Sequence, residues 1–154
     1  MKWNCKTEEI KTGSDVRIYD ITDKINAAVK KSGLENGLVC VQSMHATAGI
    51  YVNENEEFLL NDFILYLNRS APQGKRFYMH DEISERKDCP PDEPKNGHSH
   101  MMATFYSQPS VNLIFENKGL SLGKYQSVFF AEFDGPCPRK HKGKRKYKIG
   151  LLGV

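Results

Sequence analysis

The sequence lacks any apolar run near the roughly 20 residues that an α-helix needs to cross a bilayer. Its beginning, MKWNCKTEEIK, contains acidic residues and no apolar core, unlike a secretory signal peptide. No glycine-rich phosphate loop is present, and no two of the four cysteines form a CxxC pair. These absences predict a cytoplasmic protein with free thiols, and its length suits a single domain over residues 1–154.

Basic residues are distributed unevenly along the chain. The formal net charge is +3, but the segment RKHKGKRKYK (139–148) holds seven of the 22 Lys and Arg residues. The rest of the chain has 15 basic and 19 acidic residues and is therefore acidic. We interpret the segment as a solvated strand or loop, with phosphate binding as the main alternative. Nucleic-acid binding is a weaker alternative, because only Tyr147 is available there to stack on bases.

Strand and helix patterns follow one another without a βαβ rhythm. Apolar and polar residues alternate or cluster as expected of strands at 3–12, 15–21, 37–44, 45–55, 76–80, 111–116, 124–133 and 144–154. Helical spacing and capping residues predict helices at 22–33 and 56–69, and HMMATFY (100–106) favours a short one. The polar loop from 81 to 97, rich in proline and charge, is predicted to be irregular. The pattern predicts an α+β fold with a mostly antiparallel sheet or sandwich and two main helices.

Histidine is the residue type that points to chemistry in this chain. His45, His80 and the pair His98 and His100 each lie beside a predicted loop, so they could converge on one site. A lone histidine beside a strand is more often structural. The pair would bind zinc as H-x-H only on a strand, because helical residues two apart point roughly 200° apart. The residues alone leave metal binding, acid–base chemistry and a helix start open.

Other polar residues lie on the predicted strand 124–133 and just after it. Gln126, Glu132 and Asp134 share one face if the strand stays regular. On a core-facing side they would need polar partners and would indicate a site. The alternative is an exposed strand face.

Several motifs resemble those of the YjbQ family, also labelled secondary thiamine-phosphate synthase enzymes. HATAGIYVNEN (45–55) is similar to the family signature HTTAGLTINEN. YMH (78–80), SHMMA (99–103) and LSLGKYQSVFFAEFDGP (120–136) match later elements in order, and PRK (138–140) matches the basic ending. The resemblance covers the whole chain. Ala46 replaces a family threonine, LGKYQ replaces LGTWQ, and the loops at 81–97 and after 136 are longer.

The resemblance implies a β-sandwich fold, a homotrimer, and a site between subunits lined by His45, His80 and His100. A divalent metal, zinc or magnesium, is expected at these histidines. Glu132 and Gln126 match polar family positions and are further candidate catalytic residues, and Arg139 and Lys140 are candidate phosphate-binding residues. His98 is not carried over, and we place it at the mouth of the site or in the preceding loop.

The activity attached to the family is weak thiamine-phosphate synthesis, in which a thiazole phosphate attacks a pyrimidine methyl diphosphate and releases pyrophosphate. A metal, or Lys and Arg side chains from 139–148, could stabilise the leaving group. One alternative is a metal- or phosphate-binding homotrimer without catalysis. Another is a protein that associates with nucleic acid through the basic segment.

Overall fold

The computed structural model describes residues 1–13, 15–74, 78–135 and 144–154. The strands within these ranges are β1 (Lys2–Lys11), β2 (Arg17–Asp20), β3 (Gly37–Ser43), β4 (Ala48–Glu54), β5 (Ser110–Glu116), β6 (Gly119–Leu120), β7 (Gln126–Glu132) and β8 (Lys144–Gly153). The α-helices are α1 (Thr22–Ser32), α2 (Glu57–Ser70) and α3 (Gly97–Tyr106). Two 3₁₀ turns, Met79–Asp81 and Ile83–Glu85, lie between α2 and α3.

The strands form two antiparallel sheets. The five-stranded sheet has the order β1-β8-β3-β5-β6, and the three-stranded sheet has the order β2-β7-β4. β8 pairs along its whole length with β1, and β7 pairs fully with β4. β7 is therefore the central strand of the three-stranded sheet. β8 lies between β1 and β3 in the five-stranded sheet.

The main core lies between the two sheets, and α1 helps to close it. Val128 and Phe130 on one face of β7 pack with Tyr147 and Ile149 of β8 and with Ile25 of α1. The opposite face of β7 carries Ala131, and Phe133 follows it on the same side. These two residues form a second cluster with Leu67 of α2 and Met102 of α3. Both faces of β7 are thus buried, and its end is the place where sheet and helices meet.

The predicted α+β class and mostly antiparallel strands are confirmed, and the described residues contain a third helix, α3, beside the two main ones. The prediction of a strand at 76–80 is wrong over Met79 and His80, which begin a 3₁₀ turn, and residues 76 and 77 lie outside the described part. In the described ranges, no helix combines the length and the apolar character needed to span a membrane.

Candidate functional site

The beginning of α3 is held by the 3₁₀ turn that contains His80. The Asp81 carboxylate accepts a hydrogen bond from the backbone N–H of Gly97 at 2.8 Å, which satisfies one of the free donors at this helix end. A Cβ atom at Gly97 would collide with the side chain of Tyr78, so only glycine permits this close approach. The turn and α3 are therefore packed together tightly, and their histidines are brought side by side.

His80 and His100 form a ring pair at this contact. Their ring centroids are 4.7 Å apart, with 38° between the ring planes. His80 Nε2 lies 3.3 Å from Glu93 Oε1, and its Nδ1 lies 3.4 Å from Asp81 Oδ1. The Nδ1 contact lacks hydrogen-bond geometry. Both nitrogens of His80 thus face carboxylates, and Arg86 donates to Glu93 at 3.1 Å from the other side.

The other member of the pair, His100, is half-buried in the first turn of α3. Burial lowers the pKa of His100, and the neighbouring His80 lowers it further. The imidazole is therefore neutral at pH 7 and keeps a lone pair. Among the residues that the structure describes, none forms a hydrogen bond with its ring nitrogens. A neutral, half-buried imidazole in this setting can accept a proton or bind an electrophile.

A buried ion pair lies beneath the beginning of α3. Arg145 Nε donates to Glu132 Oε2 at 2.7 Å, and Arg145 Nη2 donates to Glu132 Oε1 at 2.8 Å. The Arg145 side chain is 8% exposed and the Glu132 side chain is fully buried. The same guanidinium also donates to Thr47 Oγ1 at 3.1 Å and lies 3.6 Å from Asp134. This bidentate pair connects β8 of one sheet with β7 of the other.

Asp134 extends the network from the end of β7 to α3. Its carboxylate accepts a hydrogen bond from Asn96 Nδ2 at 3.1 Å and is 3.5 Å from Ser99 Oγ. Ser99 Oγ donates to the Phe133 carbonyl at 2.8 Å. Asp134 itself is fixed by its N–H, which donates to Glu132 Oε1 at 2.8 Å. The ion pair therefore sets the position of α3.

His45 lies beside this network and approaches β8 through both ring nitrogens. Its Nε2 accepts a hydrogen bond from the backbone N–H of Lys146 at 2.8 Å, so the ring proton is on Nδ1. Nδ1 lies 3.3 Å from an Arg145 guanidinium nitrogen, and the guanidinium cation disfavours a metal ion there. Both nitrogens of His45 therefore face donors of β8.

A metal centre made of His45, His80 and His100 does not fit this geometry within one chain. In the described ranges, no three His, Cys, Asp or Glu side chains are grouped so that they could hold a metal ion. The structure brings His80 and His100 together, while its contacts tie His45 to Lys146 and Arg145. A metal at these three histidines therefore stays a prediction.

The remaining predicted site residues lie in different places. Gln126 begins β7, and its side-chain oxygen accepts a hydrogen bond from the Gly123 N–H at 2.8 Å. It is six residues from Glu132, about 20 Å along a strand, so the chain does not bring the two together. Arg139 and Lys140 lie outside the described residues.

His98 is placed differently from the prediction. It is 2% exposed and lies in the first turn of α3, not at a site mouth or in a loop. Because the motif is helical, His98 and His100 point in different directions, as helical geometry requires. An H-x-H zinc pair would have needed a strand at this position.

Arg145 is the site residue that the sequence reasoning missed. Its signal was present: in KRKYKI, the even-numbered lysines alternate with Arg145, Tyr147 and Ile149. Strand alternation places this arginine on the same face as two apolar residues, so it is buried and requires a carboxylate partner. Because Arg145 lies within a run of basic residues, the segment was interpreted as solvated.

A protein-family model described as UPF0047 protein YjbQ-like matches residues 6–153. The chain belongs to the YjbQ family. It is similar to a UPF0047 protein of Archaeoglobus fulgidus, with 34% identity over 131 residues that cover 85% of this chain and 92% of the relative. The UPF0047 protein YugU of Bacillus subtilis is 30% identical over 135 residues, covering 87% of this chain and 92% of YugU.

Solved structures agree with this family membership. A crystal structure of a YbjQ-like protein of unknown function from Sulfolobus solfataricus superposes with a TM-score of 0.83 and 27% identity, covering 99% of each chain. A hypothetical protein from Aeropyrum pernix gives a TM-score of 0.81 at 26% identity, covering 98% of this chain and 99% of that one. The resemblance and the YjbQ-like fold are thus confirmed. None of these four names states a substrate, a metal or an assembly.

We expect Arg145→Met to lower the free energy of unfolding by about 3–5 kcal/mol, because it leaves the Glu132 carboxylate buried without its partner. Urea denaturation measures this change. Lys144→Met is the control, since Lys144 is an exposed neighbour whose pair with Glu9 is screened by solvent. The double variant Arg145→Met/Glu132→Gln should recover part of the loss. Equal effects of Arg145→Met and Lys144→Met would contradict the assignment.

We expect stability to fall as pH drops below about 6.5, the pKa of an unfolded-state histidine. The pKa values of His98 and His100 are lowered in the fold, mainly by burial, so the unfolded chain binds more protons in this range. The free energy of unfolding then rises with pH, by up to about 1.4 kcal/mol per pH unit and group, and levels off near neutrality. Urea denaturation from pH 5 to 7.5 should give a shallower slope for His100→Gln. An unchanged slope would exclude this contribution.

Proposed function

We propose that this protein is an enzyme that acts on a small phosphorylated metabolite, with His100 at the reaction centre. The observation that supports this is the His80–His100 ring pair, in which the neutral imidazole of His100 lies against a second imidazole that two carboxylates contact. Thiamine-phosphate synthesis is the candidate reaction, taken from the activity that the family resemblance implies. The function of the family as such is unknown.

In this reaction the thiazole nitrogen forms a bond to the methylene carbon of the pyrimidine methyl diphosphate. The carbon–oxygen bond to the diphosphate breaks, and pyrophosphate leaves with the electron pair. Positive charge develops at the methylene carbon before the new bond is complete. The lone pair of His100 and the nearby carboxylates of Asp81 and Glu93 suit that charge.

The leaving pyrophosphate needs a cation or hydrogen-bond donors. Arg86 is the described cation beside the pair, since one of its guanidinium nitrogens donates to the His80 carbonyl at 3.2 Å. Its side chain is one-third exposed, so other guanidinium N–H groups can reach a ligand. Arg139 and Lys140 remain proposed phosphate-binding residues. Arg145 is excluded from this role because its guanidinium is committed to Glu132.

The active form is proposed to be a homotrimer. An exposed apolar row crosses four adjacent strands of the five-stranded sheet, because Trp3, Leu152, Leu38 and Ile114 are cross-strand partners in register. These side chains are 61%, 38%, 53% and 55% exposed in the single chain. A contiguous apolar surface of this kind supports contact with another subunit.

Turnover of a pyrimidine methyl diphosphate with a thiazole phosphate, followed by pyrophosphate release, tests the proposed reaction. We expect His100→Ala to lower kcat by about 100-fold or more, the usual contribution of a positioned acid–base group. Met101→Ala is the control on the same helix, because Met101 is an exposed residue outside the pair. Absence of product with the unmodified protein would exclude the named reaction, and full turnover by folded His100→Ala would exclude His100.

Metal content is measured on the same preparations. A divalent metal held by the His80–His100 pair would be lost in His100→Ala and retained in His45→Ala. Equal loss in both variants would instead support the three-histidine centre. A protein without stoichiometric metal would remove the metal prediction and leave the turnover result to stand alone.

The assembly is tested by Leu38→Glu, which places a charge in the middle of the apolar row. We expect this variant to shift the mass in light scattering from three chains to one, because burying an unpaired carboxylate in an interface is costly. Tyr125→Glu is the control, because Tyr125 is an exposed aromatic residue outside the apolar row, on the loop before β7. A trimer that persists in Leu38→Glu would place the interface elsewhere on the chain.

A further inference from the structure

A polar cavity lies beside α3, at His98. It has a volume of about 170 Å³ and is lined by Asp15, Val16, Ile64, Asn68, Gln73 and His98. At about 30 Å³ for each water, it holds about five water molecules or one small organic molecule. Its lining includes neither member of the His80–His100 pair and no member of the Arg145–Glu132 ion pair. The cavity is therefore distinct from the histidine pair and from the ion pair.

The hydrogen bonds of His98 define which of its nitrogens carries the proton. Ser99 Oγ uses its only hydrogen toward the Phe133 carbonyl at 2.8 Å, its shortest contact. It must then accept from His98 Nε2, which lies 3.2 Å away. Nδ1 is consequently an unprotonated acceptor, and it is buried without a hydrogen-bond partner among the described residues. A buried acceptor of this kind requires a donor.

The rest of the polar lining can also supply acceptors. Asp15 contributes a carboxylate, and Asn68 and Gln73 contribute amide oxygens. In the described part of the chain, the side chains of these three residues form no hydrogen bond with other residues. No lysine or arginine is among the lining residues, so Asp15 gives the cavity a negative charge. Val16 and Ile64 add a small apolar wall.

We propose that this cavity binds a small molecule through an amino or ammonium group. The group donates to the Asp15 carboxylate and to the amide oxygens of Asn68 and Gln73, and its carbon part packs against Val16 and Ile64. One water bridges the ligand to the buried Nδ1 of His98 and supplies the missing donor. The proposal stands on a different cavity and does not depend on the proposed reaction.

Long-range proton–nitrogen NMR on protein with labelled histidine and amide side chains tests the site. The tautomer requires that the proton of His98 is on Nε2. Titration with propylammonium should shift the His98 ring nitrogens and the side-chain amides of Asn68 and Gln73 saturably. Propionate and propanol, of the same size, should leave them unchanged. We expect Asp15→Asn to weaken propylammonium binding by about tenfold, because it removes a charge-assisted hydrogen bond.

Asp23→Asn is the matched control, because Asp23 is an acidic residue on α1 away from the cavity. Asp15 is exposed, so its variant is expected to fold. Equal shifts with propylammonium, propionate and propanol would overturn the proposal, as would a proton on Nδ1 of His98. No saturable shift would show that the cavity holds water only. Turnover by Asp15→Asn distinguishes failure of this proposal from failure of the proposed function, because the variant leaves the His80–His100 pair intact.

Discussion

The buried ion pair between Arg145 and Glu132 is the interaction on which the rest of this structure depends. Burial of two charges costs several kcal/mol for each ion unless the partner and further hydrogen bonds replace the lost water. Here the two short bonds between the side chains, the Thr47 hydroxyl and the Asp134 N–H provide that replacement. Because β7 and β8 belong to different sheets, the pair also fixes how the two sheets meet.

The position of α3 follows from this pair. Glu132 orients Asp134, and Asp134 holds Asn96 at the beginning of the helix. Since helical residues two apart diverge, a helix fixed in this way points His98 and His100 to different surroundings. His98 reaches a polar cavity beside α2, whereas His100 reaches the ring of His80. The short segment from His98 to His100 thereby contributes one histidine to the cavity and one to the ring pair.

Much of the fold could be predicted from local pattern, but the buried ion pair beside the site could not. Alternation and capping residues predict the strands and the two longer helices, because these signals lie within each segment. Arg145 and Glu132 are 13 residues apart in sequence and meet because the two sheets pack together. No local sequence pattern indicates which residues of the two sheets contact each other. For a related reason, the sequence does not predict which groups His45 contacts. Its motif predicts a polar site, but only the structure shows that the Lys146 N–H occupies its Nε2.

The charges of the network restrict what each part of the site can do. Arg145 meets two carboxylates, Glu132 and Asp134, so this part of the interior has no positive charge left for a phosphate group. His80 likewise lies between two carboxylates, and Arg86 shares Glu93 with it. Such surroundings stabilise positive charge on a reacting carbon and disfavour a dianion held at depth. In the proposed reaction, phosphate groups would therefore bind at the exposed rim beside the one-third-exposed Arg86, and the reacting carbon would lie inward, against the lone pair of His100.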